Sequence, residues 1–224
     1  LSLSRRHKKS LELCIETEQI FRDAIDKQKD EKKLLLALAR ILRSKGIAFD
    51  NIGEFNKALQ AYYEAESIYW KLVKMGEDLE MDLCDVMINV SYALNKLRRL
   101  NEALKTYTEA EAIARKHLDE DSIRAKTLLA TILLNKGTVY DDLGRPEEGI
   151  KTYNEAEQIY RKLIKQGERR FLEDLSMVLF NKSVALAYLN RNDEALKALS
   201  EVEDIRRDLI RRGRKDLIEN LGNV

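Results

Sequence analysis

One proline and nine glycines in 224 residues leave little material for tight turns, which excludes a fold assembled from many short strands and hairpins. The two cysteines, Cys14 and Cys84, fall in segments that read as different helices and show no metal-ligand spacing, so reduced thiols in an intracellular protein are expected. Histidine is as scarce. His7 lies in a basic helix start, and His117 near a helix end reads as a dipole partner. With no G-x-S-x-G, Walker loop, dinucleotide fingerprint or C-x-x-C, the chain offers few candidates for catalysis; no enzyme, cofactor or metal site is expected.

Long apolar runs are also missing. None approaches the roughly 18 to 20 residues that span a bilayer, and Leu1 to Lys9 lacks a signal-peptide core, so a cytoplasmic location without membrane contact is expected. A start inside helical pattern without methionine leads us to expect a piece of a longer or processed chain. Charge of one sign is absent too: 40 basic against 39 acidic side chains give a formal charge of +1 and no field that would gather nucleic acid. Basic clusters do occur at Arg5 to Lys9 and Arg206 to Lys215. The second is interleaved with Asp204, Asp208 and Asp216, which reads as a surface helix, and no nucleic-acid partner is expected.

What the chain does contain is helix-forming material, with 44% hydrophobic and 35% charged residues, and an all-α fold is expected. It also repeats. A five-residue phrase reads ETEQI at 16 to 20, EAESI at 64 to 68, EAEAI at 109 to 113, EAEQI at 155 to 159 and EVEDI at 201 to 205, with spacings of 48, 45, 46 and 46. Upstream of it, small residues recur at Gly46, Ser91, Gly137 and Ser183, and again at Ala58, Ala103, Gly149 and Ala195. Large apolar ones recur at Phe49, Leu94, Tyr140 and Leu186, and at Tyr62, Tyr107, Tyr153 and Leu199. Steps of four and three, as in Ala58, Tyr62, Ala65, align one helix face.

Boundaries follow the same register. Gly53, Gly144 and Asn190 fall where a left-handed C-cap is needed, a rule that Arg98 breaks, and Pro146 suits a first helical turn. Gly76, Gly167 and Gly213 stop the second helix of three copies, with Lys74, Lys165, Arg211 or Arg212 in the last turn; the other copy has Asp119 to Asp121 and a looser exit. The repeated glutamates invite a metal reading. Glu18, Glu111, Glu157 and Glu203 each precede an arginine by four residues, however, and a solvated, self-paired helix face is expected instead.

Small residues at 46 and 58 with a large one at 49 suit two closely packed antiparallel helices, and the pattern resembles the tetratricopeptide repeat. Its helix B motif of Ala, aromatic and Ala is matched by Ala58-Tyr62-Ala65, Ala103-Tyr107-Ala110 and Gly149-Tyr153-Ala156, and weakly by Ala195-Leu199-Val202. Where that family closes each unit with proline at a 34-residue period, this chain has Trp70, Arg115, Arg161 and Arg207, so helix B continues. The extra residues add about three helical turns per unit, as in the long repeats of kinesin light chains. The resemblance implies a right-handed superhelical solenoid of antiparallel helix pairs over 1–224. It would comprise a lone helix B (1–29), repeats at 30–76, 77–121, 122–167 and 168–213, and a capping segment at 214–224.

The resemblance also implies a non-catalytic scaffold that holds a peptide or protein segment in a concave groove of A helices. Carried over by position, the lining is Arg40, Arg43, Ile47 and Asn51; Asp85, Ile88, Tyr92, Asn95 and Lys96; Thr131, Leu134, Thr138 and Asp142; and Met177, Phe180, Val184 and Tyr188. Asn89, Asn135 and Asn181 recur at 46-residue steps in the A helices, with Ser44 in the first copy. An amide offers a donor and an acceptor and so suits a peptide backbone, as in kinesin light chains and bacterial peptide-pheromone receptors built from this repeat. The alternative is that each asparagine bonds to the neighbouring helix and fixes repeat spacing. The lining runs from basic, Arg40 and Arg43, to apolar, Met177, Phe180 and Tyr188, which fits a ligand acidic at one end and apolar at the other. Otherwise Leu217, Ile218 and Leu221, or further chain, cover the apolar end. Rival readings are a homo-oligomer that stacks through exposed repeat ends, and a module of a larger regulatory protein whose groove its own chain fills.

Overall fold

The computed structural model describes residues 3–26, 31–119 and 122–213, in which all regular structure is helical. The nine α-helices there are α1 (Leu3–Asp26), α2 (Glu31–Asp50), α3 (Phe55–Lys74), α4 (Glu80–Lys96), α5 (Leu100–Lys116), α6 (Ile123–Asp142), α7 (Pro146–Lys165), α8 (Leu172–Tyr188) and α9 (Asn192–Arg211). Helix B does continue past Trp70, Arg115, Arg161 and Arg207, as the missing proline predicts. The Leu217, Ile218 and Leu221 cap lies outside the described residues, and the Asp119 to Asp121 exit lies partly outside them.

The chain divides into two compact units, Leu1–Lys116 and His117–Val224. In the first, each helix packs on the next from α1 to α5, and the A helices α2 and α4 also meet. In the second, α6 to α9 pack in the same serial way, with α6 against α8. Cys14 and Cys84 are free thiols on α1 and α4. No described helix is long and apolar enough to cross a membrane.

The turns form as the boundary residues dictate. Gly53 has φ 79° and Gly144 φ 70°, the left-handed region in which glycine meets no steric penalty, and Asn190 follows at 59°. Arg98 takes the same turn at φ 59°, closing it with its N–H on Asn95 O at 2.8 Å and the Arg99 N–H on Leu94 O at 2.9 Å. The backbone path between helices is thus common to all four hairpins, and Arg98 carries a conformational cost of about 1 to 2 kcal/mol for it. Pro146 is the first residue of α7, where its missing N–H leaves no partner unpaired.

Within the hairpins the small and large columns interlock. Tyr62, Tyr69, Tyr107, Tyr153 and Tyr160 are at most 1% exposed. A β-carbon on Gly46 would stand 2.3 Å from Tyr62 Cε1, and one on Gly137 would stand 2.3 Å from Tyr153 Cε1, so glycine lets each ring lie flat across helix A. That path brings the hydroxyl to a carboxylate: Tyr62 donates to Asp50 Oδ2 and Tyr153 to Asp141 Oδ2, both at 2.6 Å. The other two hairpins have Ser91, Asn95 and Tyr107, or Ser183, Ala187 and Leu199, at these positions. Glycine, aspartate and tyrosine therefore come as a set, because the hydroxyl reaches helix A only where no side chain lies beneath the ring. Burial, reinforced by the neighbouring carboxylate, holds the Tyr62 and Tyr153 phenols far above their ordinary pKa.

Candidate functional site

The A-helix faces differ between the units. In the first, Ile47, Tyr92 and Lys96 are exposed along α2 and α4, as is Asn51 in the turn that follows α2, with the Lys96 ammonium 5.1 Å from the Tyr92 ring centroid, a cation–π contact. Arg40 is exposed, Asn95 is half-buried, and the half-buried Arg43 approaches Asp85 on α4 at 3.9 Å. In the second unit the exposed residues of α8 are apolar: Met177, Val184 and Tyr188, the last 74% exposed. Asp142 is exposed on α6. Thr131 and Thr138 are half-buried and spend their hydroxyls on the helix itself, donating to Thr127 O and Asn135 O.

One lining residue is misplaced by sequence. Leu134 is 5% exposed and belongs to the core. Its column of Arg43, Ile88, Leu134 and Phe180 is half-buried or buried, and the Phe180 ring lies 5.5 Å from the Arg206 guanidinium of α9. That column faces neighbouring helices, whereas the column through Lys96 faces out in every copy and the one through Tyr92 does so except at half-buried Thr138.

Asn89, Asn135 and Asn181 are all half-buried. Among the described residues, none of the three side-chain amides is hydrogen-bonded to a neighbouring helix, and Asn89 Nδ2 is buried without a partner. A buried amide left in this state costs about 1 to 3 kcal/mol.

The phrase glutamates do more than pair along their own helix. The i, i+4 pairs with Arg22, Arg115, Arg161 and Arg207 all form. Glu18 also accepts from Lys45 of α2 at 2.7 Å, and Arg22 reaches Glu64 of α3. In the second unit Glu157 accepts from Lys182 of α8 at 2.9 Å, and Arg161 grips both oxygens of Glu201 on α9 at 2.7 Å. Each cluster is a clamp between one helix B and the next hairpin. Burial pushes the Glu18 and Glu157 carboxyls up, but the hydrogen bonds from lysine and arginine outweigh it and hold both below the usual carboxylate range. The solvated face expected from sequence is therefore part of the seam between hairpins. A signal for it was present in Lys45, Lys136 and Lys182, which keep the repeat spacing one residue after Ser44, Asn135 and Asn181. Among the described residues no three His, Cys, Asp or Glu side chains cluster as a metal site would require.

Hairpins of this length, with an aromatic on helix B set over a small residue on helix A, define an all-α protein of tetratricopeptide repeats. A family model described as Tetratricopeptide repeat matches residues 130–165, and one described as Anaphase-promoting complex subunit 5 matches residues 18–133 and 158–209. The second covers more than half of the chain, so the chain belongs to the family that model describes. No curated protein matches it by sequence. Among solved structures it is similar to the apo form of RapI, at 17% identity and TM-score 0.72, over 90% of this chain and 66% of that one. It is also similar to the Rap conjugation gene regulator of plasmid pLS20 in complex with the Phr* peptide, at 18% identity and TM-score 0.63, over 92% of this chain and 50% of that one. A Podosopora anserina kinesin light chain with nearly identical TPR-like repeats matches at 14% identity and TM-score 0.58, over 93% of this chain and 99% of that one. The chain thus spans about two thirds of RapI and half of the Rap regulator. Likeness at these identities establishes the fold.

Proposed function

We propose that the protein is a non-catalytic scaffold that holds extended peptide segments along its A-helix faces, on α2 and α4 in the first unit and on α6 and α8 in the second. Asn89, Asn135 and Asn181 grip the peptide backbone. The observation that carries this reading is that the three amides recur at one register yet leave their neighbouring helices unbonded. An asparagine whose role was to set repeat spacing would be bonded to the next helix. Arg40, Arg43, Tyr92, Asn95 and Lys96 give the first unit a polar, basic face, whereas Phe180 and Tyr188 with Met177 and Val184 give the second an apolar one and Thr138 stays on its own helix. The peptide-bound Rap regulator, a protein of similar fold, supports the same direction.

Selecting binders from a random peptide library and measuring their affinity for Asn135→Ala and Asn181→Ala tests the reading. Each substitution is expected to weaken binding about tenfold, the loss of one or two hydrogen bonds, with an unchanged Tm. Lowered Tm with unchanged affinity would return the asparagines to a spacing role. A second reading, self-association through repeat ends, is favoured by Leu13 and Ile20, which are 63% and 65% exposed on α1. Light scattering over a concentration range separates the two, since self-association raises the measured mass with concentration.

A further inference from the structure

The clamp is broken at one junction. Between α3 and the hairpin of α4 and α5, the arginine position holds Trp70 and the lysine position holds Val90, while the glutamates remain as Glu66 and Glu109. Among the described residues Glu66 has no cationic partner, and Trp70 stands one helical turn on, where the clamp arginine would be. Burial raises the Glu66 carboxyl above its ordinary pKa, and the like charge of Glu109 adds to this. Val90 is fully buried and offers nothing polar. Beside Glu66 lies an open depression of about 860 Å³ along α3, lined by Tyr63, Glu66, Ser67, Trp70, Lys71, Lys74 and Met75. Tyr63, Trp70 and Met75 are 41%, 38% and 38% exposed, one stripe of a helix whose opposite side is core.

We propose that this depression is a docking site for an arginine side chain of a partner protein, its guanidinium placed on Glu66, the one carboxylate that lines it, and its plane stacked on Trp70. The equivalent guanidiniums within the chain define the chemistry: Arg22 bridges Glu18 and Glu64, and Arg161 bridges Glu157 and Glu201. A planar fork meets a carboxylate with two parallel hydrogen bonds and lies flat on an indole, which an ammonium does less well. Lys71 and Lys74 line the same face further along, so a single arginine is accepted and a basic run is not; Lys71 is itself held by Glu31 at 2.7 Å. The site lies on helix B and is independent of the A-helix faces.

Trp70 is the sole tryptophan in the chain, so its fluorescence reports this site alone. The probe is a capped alanine pentapeptide with one central arginine, titrated against full-length protein beside the same peptide carrying citrulline. Saturable change with the arginine peptide is expected, with at least about tenfold weaker response to citrulline, which keeps the shape and loses the charge. Glu66→Gln, checked for retained helix by circular dichroism, is expected to abolish the difference. Trp70→Arg is expected to complete the clamp and raise Tm by about 2 to 4 °C, and to lose arginine-peptide binding as followed by calorimetry. Equal responses to arginine and citrulline, an unaffected Glu66→Gln, or a lowered Tm in Trp70→Arg would each overturn the proposal. A tryptophan signal that changes with protein concentration in the absence of peptide would assign the depression to a second copy of the chain, and would overturn it too.

Discussion

Tyr153→Ala is expected to lose about 3 to 5 kcal/mol of folding stability, measured by urea denaturation of the full chain. The ring is fully buried, and the backbone of Gly137 lies so close beneath it that a β-carbon there would be 2.3 Å away. Removing it opens a cavity bounded by two helices that cannot close without shifting their packing on α8. The aspartate compounds the loss: Asp141 Oδ1 is already buried without a partner, and the Tyr153 hydroxyl is the donor to its other oxygen. Tyr153→Phe separates the two contributions. It keeps the ring and is expected to cost about 1 to 2 kcal/mol, the hydrogen bond and the stranded carboxylate alone. A loss below 1 kcal/mol for the alanine variant would show that the ring is not packed in this way.

Alkaline unfolding is expected near pH 11, steeply. Five tyrosines are buried, and burial is the largest cause holding each phenol above its ordinary value near 10. Tyr160 is pushed up to about 12, with Thr131 hydrogen-bonded to it at 3.3 Å. The sign follows from proton counting. Above pH 10 the unfolded chain releases these protons while the folded chain keeps them, so stability is intact below that pH and falls as pH rises. With five such groups the limiting slope is about 7 kcal/mol per pH unit, comparable to the whole stability of a domain. Tyrosinate absorbance from these residues should therefore appear together with the loss of helical circular dichroism. Ionisation of all five near pH 10 with the helices intact would contradict their burial.

Much of the architecture was legible because the same physical problem recurs at 45 or 46 residues. Left-handed turns select glycine or asparagine, ring-on-helix contacts select small residues, and comparing copies exposes both. Arg98 shows the limit of that logic: the turn is imposed by the helices on either side, and a residue poorly suited to it still adopts φ 59°. The site was less legible. Leu134 was assigned to the lining by its position in the repeat, but which column of an A helix faces out depends on how closely the next A helix approaches, a tertiary quantity. The glutamates were readable as helix pairs because i, i+4 spacing is local. Their partners Lys45, Glu64, Lys182 and Glu201 lie 25 to 42 residues from the glutamates or arginines they meet, and only the columns of the repeat hint at them. The Asp50 and Asp141 partners of the tyrosines were hidden in the same way, 12 residues away across a turn.

Backbone gripping by the A-helix asparagines is tested most directly by N-methylating, one residue at a time, a peptide selected for binding to this protein. Methylation removes a donor and leaves every side chain in place. Loss of about tenfold in affinity at spaced positions, absent in the asparagine-to-alanine variants because the contact is already gone, is the predicted result. Full affinity after methylation at every position, with binding lost only on side-chain replacement, would contradict it.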